Sequence, residues 1–307
     1  MRTDIPAFYS RWFMNRIREG RVLVRNPYNY HQVSEYILDP KVVDLLVFCT
    51  KNPAPLLDYL DELSAFRMYW FVTITPYGRD FEENVPMKDD VMKSLMFLSE
   101  KLGKDRVALR YDPVIINEKY TEEYHLEVFS EMMETLDGFI DACVISYVDL
   151  YSKVRRNWPE LKPVSLETKM RLTEKFALEA EKHSVVIRPC GEDDFLKAAQ
   201  NTDCSGCMSR EVYEKAVGST LRFPALPSKR EECSCILGND IGAYDTCLHF
   251  CRYCYANSNR KKVLENHAAH DPESPMITGN ITEGDRITRS EQKSWLDGQL
   301  MFDMDFI

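Results

Sequence analysis

A chain of 307 residues that is 44% hydrophobic and 29% charged can form one large α/β domain or an ordinary domain with an appendage, and it lacks the composition of a disordered protein. Its net charge of −10 argues against a general grip on nucleic acid, which needs a basic footprint. No run approaches the roughly 20 apolar residues of a membrane span, and no basic-then-apolar leader opens the chain, so the expectation is a cytoplasmic protein with no membrane partner.

Helical spacing begins at Phe8, Trp12, Phe13 and Ile17 and stops at Gly20. Val22-Leu23-Val24 is a short extended piece ending at Asn26-Pro27. A strand followed by a helix then recurs. Val43 to Cys49 precedes a short helix over Pro55 to Leu63, and Tyr69 to Thr75 precedes a helix over Lys88 to Leu102. Val107 to Tyr111 precedes Glu122 to Leu136, Ala142 to Val148 precedes Leu166 to His183, and Val185 to Ile187 leads into Arg188-Pro189-Cys190. Beyond Asp193 the rhythm is lost, apart from a helix over Ser209 to Val217. The tail from Ala256 reads as irregular, with a short amphipathic helix near Trp295.

Short apolar runs alternating with amphipathic helices predict βαβ units and a parallel sheet. No G-x-G-x-x-G follows any run, which leaves a dinucleotide-binding reading without support. A (β/α) barrel, complete or partial, carries its working residues at the carboxyl ends of its strands. Lys51, Arg110, Asp112, Asp149 and Glu192 all stand at such exits. Each alone is an ordinary loop residue, and Asp112 before Pro113 is also a turn signal. Together they are candidates to face a cofactor and substrate, the cations meeting a carboxylate and Asp112 or Asp149 an ammonium or ribose.

Ten cysteines in a small secreted chain would mean disulfides, but this chain is not small. Cys49 and Cys143 stand alone in apolar runs, whereas the other eight crowd between Cys190 and Cys254, a distribution that fits metal. Cys247, Cys251 and Cys254 form C-x-x-x-C-x-x-C, with Tyr253 just before the last thiol. Three thiolates on one loop leave one iron of a 4Fe–4S cluster without a protein ligand. They equally suit a zinc site completed by His249 or His267. Among Cys190, Cys204, Cys207, Cys233 and Cys235, any four would close a second site, either zinc or an auxiliary 4Fe–4S cluster.

With its aromatic residue, the C-x-x-x-C-x-x-C loop resembles the signature of the radical S-adenosylmethionine (radical SAM) enzymes. The wider run Asp240-Ile241-Gly242-Ala243-Tyr244-Asp245-Thr246, with Tyr255-Ala256-Asn257 beyond the cysteines, is more particular. Together with Arg2-Thr3-Asp4-Ile5-Pro6-Ala7-Phe8-Tyr9, Thr50-Lys51-Asn52-Pro53 and Arg110-Tyr111-Asp112-Pro113, it is similar to the uncharacterised DUF1848 family over nearly the whole chain.

The resemblance implies a (β/α)6 partial TIM-type barrel over residues 1–192, with a cysteine-rich iron–sulfur region over 193–307 packed across its mouth. It implies an apolar strand before Arg-Thr-Asp, which the sequence here does not include, and places Arg2 and Asp4 at the exit of that missing strand. In radical SAM enzymes the cysteine loop follows the first strand; here it follows the last. By the same resemblance Cys247, Cys251 and Cys254 hold a 4Fe–4S cluster whose open iron binds S-adenosylmethionine, reductively cleaved to a 5′-deoxyadenosyl radical. Tyr253, Arg2, Asp4, Lys51 and Asp112 line the cofactor, and Lys51, Arg110, Asp112 and Asp149 serve catalysis. Cys190, Cys207, Cys233 and Cys235 hold an auxiliary cluster, Cys207 matching the family position better than Cys204. A flavodoxin- or ferredoxin-type electron donor and a small-molecule or peptide substrate complete the expectation. The alternative is a non-catalytic iron–sulfur protein that transfers electrons or senses redox state, with Cys233 or Cys235 as fourth ligand.

Overall fold

Met68–Thr73 and Ala142–Tyr147 are buried at every position, as strands covered on both faces must be. In the computed structural model, which describes residues 1–192, 199–223, 235–236 and 238–300, they are inner strands of a five-stranded parallel sheet. The strands are β1 (Arg21–Arg25), β2 (Gln32–Ile37), β3 (Leu46–Thr50), β4 (Met68–Thr73), β5 (Val107–Val114), β6 (Ala142–Tyr147), β7 (Val186–Pro189), β8 (Ser219–Leu221), β9 (Arg286–Arg289) and β10 (Leu296–Leu300). The helices are α1 (Ile5–Phe8), α2 (Ser10–Glu19), α3 (Ala54–Leu57), α4 (Lys88–Leu102), α5 (Glu122–Thr135), α6 (Ser152–Asn157), α7 (Leu166–Glu181), α8 (Arg210–Val217) and α9 (Arg260–Ala268).

The parallel sheet runs in chain order, β3-β4-β5-β6-β7. Right-handed crossovers in a sheet that always steps the same way put the connecting helices on one face. Phe48, Trp70, Val72, Leu109, Tyr111, Ile145 and Ile187 accordingly pack with Leu95, Leu98, Phe129, Met132 and Phe176 of α4, α5 and α7. Side chains one residue out of phase, Tyr69, Phe71, Ala108, Ala142 and Val144, form a second cluster on the inner face with Cys207, Val212 and Ala216. The helix α8 thus lies where a barrel would have its interior. It is capped by Ser209, which accepts from Val212 N, and it ends at Gly218 in the left-handed conformation.

Three expectations are corrected. Among the described residues the sheet is open: five strands pair and β3 and β7 are its edges, so no closed or six-stranded barrel forms. Residues 1–4 lead into α1, and β1 pairs with β2, which pairs with β9 in a separate sheet. The helix after β3 is four residues long rather than reaching Leu63. The tail holds α9, and near Trp295 a strand replaces the expected helix, β10 pairing antiparallel with β8. Backbone pairing with distant segments decides these places, and local periodicity does not carry it. No helix among the described residues is long and apolar enough to cross a membrane.

Candidate functional site

The cysteine loop is held against the carboxyl edge of the sheet by the segment that follows β4. Glu82 and Cys251 form an antiparallel bridge. Arg252 N donates to Phe81 O at 2.8 Å, and Asn84 N to His249 O at 3.1 Å. Within the loop, Phe250 turns the chain at φ 52 between the first two cysteines, an uncommon conformation for a residue other than glycine. Cys254 N bonds Cys251 O, and Asn257 Nδ2 donates to Cys247 O at 2.8 Å.

The other wall is the beginning of the chain. Thr3 Oγ1 donates to Ala243 O and lies 2.6 Å from Thr246 Oγ1, and the Tyr9 hydroxyl donates to Thr246 O at 2.7 Å. The buried Asp4 carboxylate accepts from Ala7 N, Thr50 Oγ1 and Lys51 N, and His249 Nε2 lies 2.8 Å away. Asp4 therefore ties α1, the exit of β3 and the cysteine loop together. Gly242 is required by this closeness: a Cβ there would stand 2.8 Å from Thr3 Oγ1.

Lys51 Nζ reaches Glu82 Oε1 at 2.8 Å and Thr75 Oγ1 at 3.3 Å; the Thr75 hydroxyl and the Tyr253 hydroxyl donate to the same oxygen. Burial opposes the Lys51 charge, but Glu82, then Cys251 and Asp112, outweigh it and hold the ammonium above its ordinary range. The ring of Tyr253 is buried with Tyr77, Phe81 and Trp158, and Lys51 Nζ lies 5.7 Å from its centre.

Burial pushes the thiols of Cys247, Cys251 and Cys254 up; Asp4 adds to the effect at Cys247 and Glu82 at Cys251, while the backbone of Ala256 and Asn257, then Lys153 and Lys51, pull Cys254 the other way. Among the described residues no hydrogen bond joins any two of these thiols. Thiols so desolvated become thiolates when a cation or cluster compensates them. Beside them Asn257 Oδ1 is buried without a partner, an acceptor left over in a site otherwise closed. This donor set fits a thiolate-bound cluster with a ligand next to it. Cys251, Cys254 and Asn257 also line a cleft of about 320 Å³, with Arg79, Asn259 and Arg260 among its other walls, at the small end of ligand sites.

Arg110 lies on the inner face of the sheet. Its Nε donates to Asp112 Oδ2 at 2.6 Å, and its guanidinium faces Cys190 Sγ at 3.5 Å and Cys207 Sγ at 4.0 Å. Cys207 Sγ is 3.4 Å from Cys190 Sγ and 3.4 Å from Cys235 Sγ. Cys190 is held far below the ordinary thiol range, first by the Cys207 and Cys235 thiols that donate to it and then by Arg110; the same bond pushes Cys207 up. Cys233 falls outside the described residues. Among the described residues, as they stand, no group of three or more Cys, His, Asp or Glu side chains is placed to hold a metal ion.

The structure thus brings Asp4, Lys51 and Tyr253 together around the Cys247 loop, and Arg110 and Asp112 beside the second thiol group. Arg2 donates to Asp240 and faces Tyr244. Asp149 is exposed and accepts from the Tyr151 hydroxyl, joining neither group by a hydrogen bond. Sequence reasoning missed Glu82; it named His249 only as a zinc ligand and Asn257 only as part of the family run, not the Asp4 contact of the one or the unpartnered buried oxygen of the other. Glu82 follows the exit of β4 in Pro76-Tyr77-Gly78-Arg79-Asp80-Phe81-Glu82, so the strand-exit rule applied one turn further would have found it.

Fold and site together define an α/β protein with two thiol groups, one at the carboxyl edge of a parallel sheet and one on its inner face. The chain belongs to the DUF1848 family, a domain of unknown function, whose family model matches residues 1–256. No curated protein and no solved structure matches it.

Proposed function

We propose that this protein is an iron–sulfur enzyme of the radical SAM kind, with Cys247, Cys251 and Cys254 as ligands of a 4Fe–4S cluster. The observation that carries the reading is the convergence of three half-buried, mutually unbonded thiols on one loop, two of them lining a ligand-sized cleft, at the sheet edge where parallel α/β proteins place their chemistry. A cluster there, with one iron left to S-adenosylmethionine, would supply one-electron reduction of that cofactor and a radical able to take hydrogen from a substrate.

The chain's own residues position and shield. Asp4 and His249 fix the loop against β3, and Phe81, Tyr253 and Trp158 close its rear to water. Lys51 and Lys153 bring positive charge to Cys254, which favours its thiolate. Asn257 offers Oδ1 to an N–H donor on the ligand. An acidic electron donor of the flavodoxin or ferredoxin class would supply the electron, and the substrate would be a small molecule or a peptide.

The test is anaerobic reconstitution with iron and sulfide, then reduction with S-adenosylmethionine present. Release of 5′-deoxyadenosine, abolished by Cys251→Ala, supports the proposal. An intact cluster that releases none, and whose paramagnetic spectrum is unchanged by the cofactor, assigns the protein to electron transfer instead.

A further inference from the structure

Cys190, Cys207 and Cys235 come from three separate segments of the chain. Cys190 N donates to Ile145 O at 2.8 Å, at the end of β7. Cys207 precedes α8 and is buried against the inner face of the sheet. Next to Cys235, Ile236 N bonds Met208 O, and Ile236 O accepts from the Tyr213 hydroxyl at 2.8 Å. Cys207 Sγ touches both Cys190 Sγ and Cys235 Sγ at 3.4 Å without forming a disulfide, and a guanidinium faces Cys190 and Cys207.

We infer that these three cysteines form a mononuclear zinc site that staples residues 199–223 and the Cys235–Ile236 pair to the inner face of the sheet, in place of the auxiliary iron–sulfur cluster expected from the sequence. The separation decides between the metals. Zinc–sulfur bonds of about 2.3 Å in a tetrahedron put neighbouring sulfurs about 3.8 Å apart, so an outward rotation of a few tenths of an ångström makes room for the ion. In a 4Fe–4S cluster each cysteine binds a different iron, which requires sulfurs much further apart. The contrast with the Cys247 loop, whose thiols make no such contacts, is internal to this chain.

Two further features agree. Cys204-Ser205-Gly206-Cys207 has the C-x-x-C spacing of a zinc knuckle. Gly206 turns it at φ 110, where a side chain is strained, and Cys204 is the described cysteine that this spacing nominates as fourth ligand. Arg110 balances the negative charge that three or four thiolates bring to a zinc ion, and its own carboxylate partner, Asp112, fixes its direction. The site is structural, because a closed set of thiolates leaves no open position for chemistry.

The full-length protein as isolated should carry about one zinc per chain by elemental analysis, retained when iron is bleached from the Cys247 loop. Cys207→Ser should lose the zinc and keep the iron. Because that variant loses a buried group, the wild-type chain expressed with cobalt is the second arm, and thiolate-to-cobalt charge-transfer absorption with tetrahedral ligand-field bands is expected. A fall in iron on Cys207→Ser, in protein without zinc, would establish an auxiliary cluster and overturn the inference. So would metal-free protein with no cobalt signal. Neither result bears on whether the Cys247 loop cleaves S-adenosylmethionine.

Discussion

His249 Nε2 lies 2.8 Å from Asp4 Oδ2, a contact between residues 245 positions apart, with both side chains almost wholly buried. Phe8 packs edge-on against the same imidazole, ring centres 4.6 Å apart. His249, one of three residues between the first two cysteines, is therefore held by the first turn of the chain. Asp4→Ala removes an acceptor that serves four buried donors. The expected cost is about 3 kcal/mol or more, the penalty for orphaning several buried polar groups, read as a lower denaturant midpoint with an unchanged m-value. Cluster retention after reconstitution should fall in parallel, because the loop loses its inner support.

Lys51 and Glu82 are 12% and 4% exposed and joined at 2.8 Å. Removing one partner leaves a buried charge, which costs about 3–5 kcal/mol, whereas removing both leaves none. Glu82→Ala should therefore destabilise the protein more than Lys51→Met/Glu82→Ala does. A double-mutant cycle by urea unfolding checks this; additive losses would show that the pair is not coupled.

Gly242 faces Thr3 at a distance no Cβ tolerates, 2.8 Å to Oγ1 and 3.0 Å to Cβ. Gly242→Ala should push the Asp240–Thr246 segment off the amino terminus at a cost of about 1–3 kcal/mol, typical of overpacking. Accelerated amide exchange confined to residues near 3 and 243–246 is the signature to measure.

His125 is completely buried, its Nδ1 2.9 Å from the Tyr111 hydroxyl and its Nε2 3.0 Å from Ile115 O. Burial lowers its pKa to about 4, against the opposing pull of the Ile115 carbonyl. Between about pH 4 and 6.5 the unfolded chain binds a proton that the folded chain excludes, so stability rises with pH across that window and this contribution levels off above it. The full difference is about 3 kcal/mol. His125→Gln keeps a donor and an acceptor but does not titrate, so its stability curve should lack this slope; an unchanged slope would mean other groups set it.

The sequence by itself determined the parallel strands and their helices, because runs such as Trp70-Phe71-Val72 and Val144-Ile145 are buried on both faces and must be apolar at every position. It also singled out the Cys247 loop by its cysteine spacing, and the Arg-Thr-Asp opening through the family resemblance. Only the tertiary structure decided that these two motifs meet through Asp4 and His249, that Glu82 closes on Lys51, and that Cys190, Cys207 and Cys235 touch. It also decided that the sheet stays open, with α8 filling its inner face. The reason is physical: strand order, edge pairing and charge pairing are contacts between residues tens to hundreds of positions apart, and local periodicity carries no record of them.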